Sequence, residues 1–453
     1  MSGITARELA LKVLMAVLEE GAYANLALNK VLEKYRPAKL DRAFATELAY
    51  GSLKALGTLD WVLAQFVKRP LDDQPPAIRN ILRISAYQLL YMPRVPPRAV
   101  CYEGTELSKK YGHAGIVKFV NGVLRNLARS GSKIEYPALE QKPVEHISLC
   151  YWHPAWLVER WLAEYGLEET LEFCRANNAP APNTVRTNTL KIDRDALARL
   201  LEEEGLSVEK AAFAPEGLHI SGYHSLGSLP SFKKGLFTAQ DESSMLASRA
   251  LSPVPGAFVV DACSAPGGKT THLAELMENR GRIVAADIYR HKLALVEENC
   301  ARLGITIVEP VEEDARNLGK VYAGRADFVL VDAPCSGLGV LRRRPDARWR
   351  KKPGQIAELV DLQAEILESA SRCLKPGGVM VYCTCTVTRE ENLEQVKNFL
   401  AGHSEFVFDS LVPFLPSSLD AKNTLGGGYV QLYPHVQGTD GFFIARLLKK
   451  GNG

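Results

Sequence analysis

From residue 256 onward, apolar strand-like runs at 257–260, 282–286, 305–308, 328–331 and 379–383 alternate with helical stretches at 270–277, 291–303 and 355–373. A run of four or five continuous apolar residues has no polar side to turn to water, so each strand needs cover on both faces. Strands covered on both faces and joined through helices form a mostly parallel sheet with crossover connections. The alternation therefore predicts a Rossmann-like α/β domain over residues 236–450, with Gly441-Phe442-Phe443-Ile444-Ala445-Arg446 as a late edge or hairpin strand.

The front of the chain follows a different period. Leu9, Val13, Leu14, Val17 and Leu18 recur at three- and four-residue spacing behind Thr5 and Glu8, which are placed as a capping box. The same spacing returns in Ile78, Ile81, Leu82, Ala86, Leu89 and Leu90, and again in Phe119, Val120, Val123, Leu124 and Leu127. Pro93-Arg94-Val95-Pro96-Pro97 punctuates between them. Residues 1–140 are expected to be an all-α bundle. Gly131, Ser132, Pro137 and Pro143 mark a linker, and a small α+β unit is expected over 145–235. It has helix-like stretches at 156–164, 167–177 and 195–204 and strand-like alternation at 183–191.

Length and composition remove several classes. A chain of 453 residues holds two or three domains, and no apolar run reaches 18 residues, so no membrane span is expected. The opening Met1-Ser2-Gly3-Ile4-Thr5-Ala6-Arg7-Glu8 lacks the basic-then-apolar order of a signal peptide, which predicts a cytoplasmic protein. Nine cysteines without a C-x-x-C pair argue against a disulfide framework and a zinc ribbon, so no metal is expected. Residues 1–140 carry 20 Lys or Arg against 13 Asp or Glu, while the remainder of the chain is slightly acidic. A basic front suits a polyanionic partner, although an ordinary solvated surface has the same composition. The oligomeric expectation is a monomer.

The chemistry concentrates in the second half. Asp261-Ala262-Cys263-Ser264-Ala265-Pro266-Gly267-Gly268-Lys269-Thr270 has the order strand, glycine turn, helix start. A phosphate-binding P-loop would need glycine at Cys263, and a dinucleotide G-x-G-x-x-G is absent. The turn can instead cradle the amino-acid part of S-adenosylmethionine, with Asp287 at the end of the next strand facing ribose hydroxyls and Asp314 meeting the adenine amino group. Asp332-Ala333-Pro334-Cys335 ends the fourth strand and Thr384-Cys385 the fifth, at the carboxyl edge where open α/β sheets bind ligands. A turn of this kind beside two thiols points to covalent work on a pyrimidine. Carbon 5 of cytosine is too electron-poor to attack a methyl donor until a thiolate has added to carbon 6. Cys383, two residues before Cys385, is not excluded by spacing as the attacking thiol.

Asp261 to Thr270, Asp332-Ala333-Pro334-Cys335-Ser336-Gly337-Leu338-Gly339, Arg343-Arg344-Pro345-Asp346 and Thr384-Cys385, in this order, resemble the RNA cytosine-C5 methyltransferase family that includes the Nop2 and Sun proteins. The likeness covers most of residues 150–450. Ser264 stands where the family usually has alanine, and Cys383 where a small residue is common. Lys118-Phe119-Val120-Asn121-Gly122-Val123-Leu124-Arg125-Asn126 resembles a signature of the NusB-like, all-helical RNA-binding fold.

Together these resemblances imply a class I methyltransferase domain with a seven-stranded sheet, acting on carbon 5 of a cytosine in 16S ribosomal RNA. The donor, S-adenosylmethionine, would be held by Cys263, Ser264, Ala265, Pro266, Gly267, Gly268, Lys269, Asp287, Asp314 and Asp332. By the resemblance Cys385 is the nucleophile, Cys335 assists breakdown of the adduct, and Asp332 hydrogen-bonds or protonates near N3 in a dry site as the ring accepts electrons. DNA cytosine methyltransferases use the proline-cysteine element as nucleophile, so spacing alone leaves the order of the two thiols open. Arg342, Arg343, Arg344, Arg348 and Trp349, in a run of seven basic residues and one acid over 342–352, would grip RNA phosphates and stack on a base exposed for reaction. Two other functions compete: an RNA-binding adaptor with a degenerate methyltransferase fold, against which the intact motifs speak, and methylation of a protein or small molecule, against which the basic segments speak.

Overall fold

In the computed structural model, residues 4–130, 133–420 and 422–451 are described; Met1, Ser2, Gly3 and the linker residues Gly131 and Ser132 lie outside them. Two compact units emerge, one of residues 1–179 with 341–351 and one of residues 180–340 with 352–453. The division falls inside the stretch 145–235 that the sequence groups as one small domain.

The first unit opens with seven helices: α1 (Ala6–Leu18), α2 (Ala24–Tyr35), α3 (Lys39–Lys54), α4 (Leu56–Ala64), α5 (Pro76–Tyr91), α6 (Pro97–Ser108) and α7 (Ala114–Ser130). Thr5 caps α1 by accepting from the Glu8 N–H at 3.2 Å, and α5 and α6 start on prolines, whose missing N–H costs nothing in a first turn. Leu9, Val13, Leu14 and Val17 of α1, Ile78, Ile81 and Leu82 of α5 and Val120, Val123, Leu124 and Leu127 of α7 are all buried. The segment after α7 stays attached, with Tyr136 stacked on Trp61 at 5.4 Å. Three further helices, α8 (Pro143–Cys150), α9 (Ala155–Tyr165) and α10 (Leu167–Asn178), complete this part of the unit.

The second unit begins with an antiparallel sheet in the order β2-β3-β1-β4, made of β1 (Thr184–Thr187), β2 (Ser207–Lys210), β3 (Gly217–Ser221) and β4 (Phe237–Ala239). Helix α11 (Arg194–Glu203), capped by Asp193, buries Leu197 and Leu201 in a core with Val185, Leu218, Ile220 and Phe237. A larger sheet follows, of β5 (Phe258–Asp261), β6 (Arg282–Asp287), β7 (Val308–Glu312), β8 (Ala326–Asp332), β9 (Leu374–Thr384), β10 (Phe406–Phe408), β11 (Tyr429–Leu432) and β12 (Phe442–Lys449).

The larger sheet runs β7-β6-β5-β8-β9-β12-β10, with β5 to β9 parallel and β12 antiparallel to β9. It is seven positions wide, as expected, but counts eight strands: β10 pairs with Leu447–Lys449 and β11 with Phe442–Ala445, so both share one edge of β12. The late strand is therefore internal to the sheet. The continuous apolar runs are explained by two cores. Val259, Ile283, Ala285, Leu330 and Val381 point into one, and Val260, Val284, Val329, Val331 and Met380 into the other. The third strand departs from expectation, lying at 308–312 instead of 305–308. Ile305 is buried before the strand begins, and the strand itself occupies the sheet edge, where Glu309 and Glu312 are exposed.

Candidate active site

Four parallel strands end at one edge of the larger sheet, in Asp261, Asp287, Asp332 and Thr384. Beyond β5 the chain turns through a cis Ala265–Pro266 bond and Gly267, whose φ of +96° favours glycine, into the helix Gly268–Leu276. Thr270 Oγ1 donates to Asp261 Oδ2 at 2.7 Å, and burial pushes the Asp261 carboxyl up to about 7 against the opposing pull of that bond. Cys263, in the middle of the turn, has its thiol pushed well up by burial and then by the charges of Asp332, Asp261, Asp287 and Asp314. Asp287 also accepts from the Tyr289 N–H at 3.0 Å. Asp314 caps the turn Ala315–Asn317 and pairs with Arg316 at 2.7 Å, a bond that lowers its carboxyl.

Lys269 leaves the turn and donates to Asp332 Oδ2 at 2.7 Å, with its ammonium 5.2 Å from the Phe442 ring centre. Burial opposes its charge, but other effects, the charge of Asp332 foremost, outweigh burial and raise Lys269 above its ordinary range. On the far side of Asp332 the loop carries Cys335, whose Sγ lies 3.4 Å from Cys385 Sγ, and both residues are partly accessible. The hydrogen bond to Cys385, then burial, push the Cys335 thiol well above its ordinary range. Cys383 differs: it is fully buried, and its Sγ donates to Asp332 Oδ1 at 3.6 Å. The main chains of the two loops are joined as well, by Ala333 N–H to Cys383 O at 3.0 Å and Gly339 N–H to Cys385 O at 3.0 Å. Gly339 must be glycine, since a Cβ there would fall 2.0 Å from Gly441 O.

Comparison with known proteins decides the family. Residues 248–448 match the model of the 16S rRNA methyltransferase RsmB/F family, residues 4–129 the NusB family, and residues 153–226 the ferredoxin-like domain of RsmF/B-like methyltransferases. A probable ribosomal RNA small subunit methyltransferase B of Bacillus subtilis is 40% identical over 100% of both chains. The chain belongs to the RsmB/F family. Among solved structures, PH0851 superimposes with a TM-score of 0.84 at 31% identity over 99% of each chain. NSun6 from Pyrococcus horikoshii, solved with SFG, gives 0.60 at 28% identity over 66% of this chain and 99% of its own.

Within this RsmB/F chain the arginine-rich run does not behave as one surface. Residues 341–351 belong to the first unit, and Arg348 is fully buried there, donating to Trp152 O at 2.7 Å, Asn178 Oδ1 at 2.8 Å and Asn177 O at 3.3 Å. The Trp349 indole N–H donates to Leu53 O at 2.7 Å, and Gly57 makes room for its ring. Arg350 reaches Gly21 O at 2.9 Å and Val17 O at 3.1 Å. These bonds commit Arg348 to two backbone carbonyls and the Asn178 side chain of its own unit, while the Trp349 ring stays partly accessible. Arg342 is buried too, Arg343 is half-buried and Arg344 is exposed.

Two sets of residues around the RsmB/F site escaped the sequence. Arg186 of β1, fully buried, donates to Gly268 O at 2.6 Å, Thr271 Oγ1 at 3.0 Å and both oxygens of Glu275 at 2.8 Å, bracing the glycine turn from the small sheet. It also donates to Gln240, which directly follows β4. Glu391 and Asn392, a few residues past Cys385, anchor the thiol loops. A carboxylate and an amide after a strand-end thiol carry no signal by themselves, since the partners of Glu391 lie far back along the chain. Among the described residues no cluster of three His, Cys, Asp or Glu could hold a metal ion, and no helix is long and apolar enough to cross a membrane.

Proposed function

We propose that this chain methylates carbon 5 of a cytosine in 16S ribosomal RNA, with S-adenosylmethionine as donor and a transient thioether between Cys385 and carbon 6. The observation that carries the proposal is the 3.4 Å approach of the Cys335 and Cys385 sulfurs on the sheet edge that also carries Asp332 and the glycine turn. The negative charges of Asp287, Asp314 and Asp332, which act on Cys263, suit the ammonium and sulfonium cations of S-adenosylmethionine, and a Cβ on Gly268 would meet no atom nearer than 3.9 Å, which leaves the turn open to a ligand. SFG, present in the Pyrococcus NSun6 structure, is an analogue of that donor. When bound, S-adenosylmethionine supplies an electrophilic methyl group on a positively charged sulfur.

The chain's own residues do the rest. Cys385, as thiolate, forms a sulfur bond to carbon 6, and the displaced ring electrons make carbon 5 nucleophilic. A proton passed from the Asp332 carboxyl to N3 neutralises the charge that gathers in the ring, the Lys269 ammonium stabilises the carboxylate left behind, and the proton returns when the ring double bond is restored. After carbon 5 is methylated, its proton leaves to a base and the C–H electrons restore the ring double bond. The carbon 6–sulfur bond breaks with its electron pair returning to Cys385, a departure assisted by Cys335. The basic front of the chain, residues 1–140, supplies affinity for the polyanionic substrate.

Bisulfite sequencing of 16S ribosomal RNA tests the proposal. One cytosine should lose its mark in a strain without this protein, regain it on complementation with the native gene, and stay unmarked with Cys385→Ala. An unchanged pattern in the deletion strain rejects it.

A further inference from the structure

Behind the two sulfurs lies a carboxylate that this chemistry does not use. Glu391 is fully buried. Its oxygens accept from the Ser336 N–H at 2.7 Å, Ser336 Oγ at 2.5 Å, Gln363 Nε2 at 3.1 Å and Thr388 Oγ1. Four donors fill the four lone-pair directions of a carboxylate, and all four are neutral. A buried carboxyl is expensive to keep without such donors, so disturbing either loop that supplies them is costly.

The donors come from both thiol loops. Ser336 directly follows Cys335, and Thr388 lies three residues past Cys385. Ser336 Oγ also lies 2.7 Å from Thr386 Oγ1, next to Cys385. Gln363 carries a second arm to Pro334 O at 2.9 Å, so the residues on both sides of Cys335 are tied to the same centre. Asn392 fixes the other loop through Thr386 O at 3.1 Å and Gln431 Oε1 at 2.7 Å.

We propose that Glu391 is a positioning residue that holds the Cys335 loop against the exit of Cys385 and thereby sets how fast the thioether adduct breaks down. The inference rests on the two-thiol reading above. A displaced Cys335 leaves adduct formation by Cys385 in place and slows only release, whereas a general loss of structure slows both.

The test compares Glu391→Ala, Glu391→Gln and Ser336→Ala in the full-length chain. It reads adduct on denaturing gels with labelled RNA, steady-state turnover, and binding of labelled S-adenosylmethionine. Glu391→Ala should accumulate adduct while turnover falls about 100-fold, the scale of a 1 Å misplacement at a reacting group. Glu391→Gln keeps an acceptor for the Ser336 N–H and lets the hydroxyls turn to accept, so it should recover most of the turnover. Ser336→Ala, which removes one hydroxyl and is the variant to use if Glu391→Ala does not fold, should fall between them, with donor binding unchanged. Adduct that decays at the native rate in Glu391→Ala and Ser336→Ala overturns the inference, as does a loss of formation and release in equal proportion. If Cys335→Ala itself fails to trap RNA, the two-thiol reading falls instead.

Discussion

The edge that carries Cys335 and Cys385 and the arginine-rich segment a few residues later are both marked by sequence as functional, yet the fold uses them in opposite ways. The thiols meet at 3.4 Å and remain partly accessible, while Arg348 is sealed and committed to three acceptors within its own unit. A residue at the end of a buried strand has its place fixed by the register of the sheet, and here Asp332 pairs with Cys383 across β8 and β9. A charge run has no such constraint. Its composition says that the side chains can hold anions or carbonyls, and only tertiary contacts decide which.

The comparison breaks first at the thiols. Cys385→Ala should lower methyl transfer by about four orders of magnitude or more, as loss of a nucleophile does, and form no adduct. Cys335→Ala should instead trap RNA covalently on a denaturing gel. Trapping by Cys385→Ala and its absence in Cys335→Ala would exchange the two roles while leaving the sheet edge as the reactive region.

The arginine-rich segment gives the next largest effect, on stability. Arg348→Met leaves Trp152 O, Asn177 O and Asn178 Oδ1 without their donor in a buried setting, at a cost of about 3 kcal/mol, read as a lower urea midpoint. The slope of log affinity against log salt for RNA should not change. A reduction of the slope by about 0.7 to 0.9, the signature of one lost phosphate contact, would return Arg348 to the RNA.

These two regions also show what the sequence could disclose. The strands, the two-sided core and the placement of Asp261, Asp287, Asp332 and Cys385 at one edge follow from local period and from where each run stops. The edge strand β7 was misplaced because Ile305, though buried, precedes the strand, and exposed Glu309 breaks the apolar pattern that identifies the others. Glu391 was not legible for a stronger reason. Its meaning lies in Ser336, 55 positions earlier, and Gln363, 28 positions earlier, and no spacing rule pairs residues that far apart. Arg186 is the same case over a longer interval, 82 positions before the Gly268 carbonyl that it holds.

Within the reactive edge, Asp261 offers a smaller test through pH. Its carboxyl, raised by burial to about 7 from an ordinary 3.8, keeps a proton in the folded chain that the unfolded chain has already released. The folded state therefore binds more protons between about pH 4 and pH 7, and this residue's contribution to stability falls as pH rises through that window. Asp261→Asn keeps an acceptor for Thr270 Oγ1 and cannot ionise. Urea midpoints measured across the window should decline less steeply in the variant, and parallel curves would show that the Asp261 carboxyl does not titrate there.

The smallest effect separates the two cysteines at the end of β9, Cys383 inside the strand and Cys385 just past it. Cys383 and Cys385 are two residues apart, and by spacing either could attack a ring. Cys383 is sealed in the core with its thiol turned to Asp332, and burial raises that thiol far from the thiolate form that nucleophilic attack requires. Cys383→Ala should cost about 1 kcal/mol of stability from the lost side-chain volume. Turnover and adduct formation should stay close to native, because Asp332 keeps its ion pair with Lys269. If Cys383→Ala abolished the adduct while Cys385→Ala did not, attack would come from beneath the sheet edge, and the pairing of Cys335 with Cys385 would be a feature of packing alone.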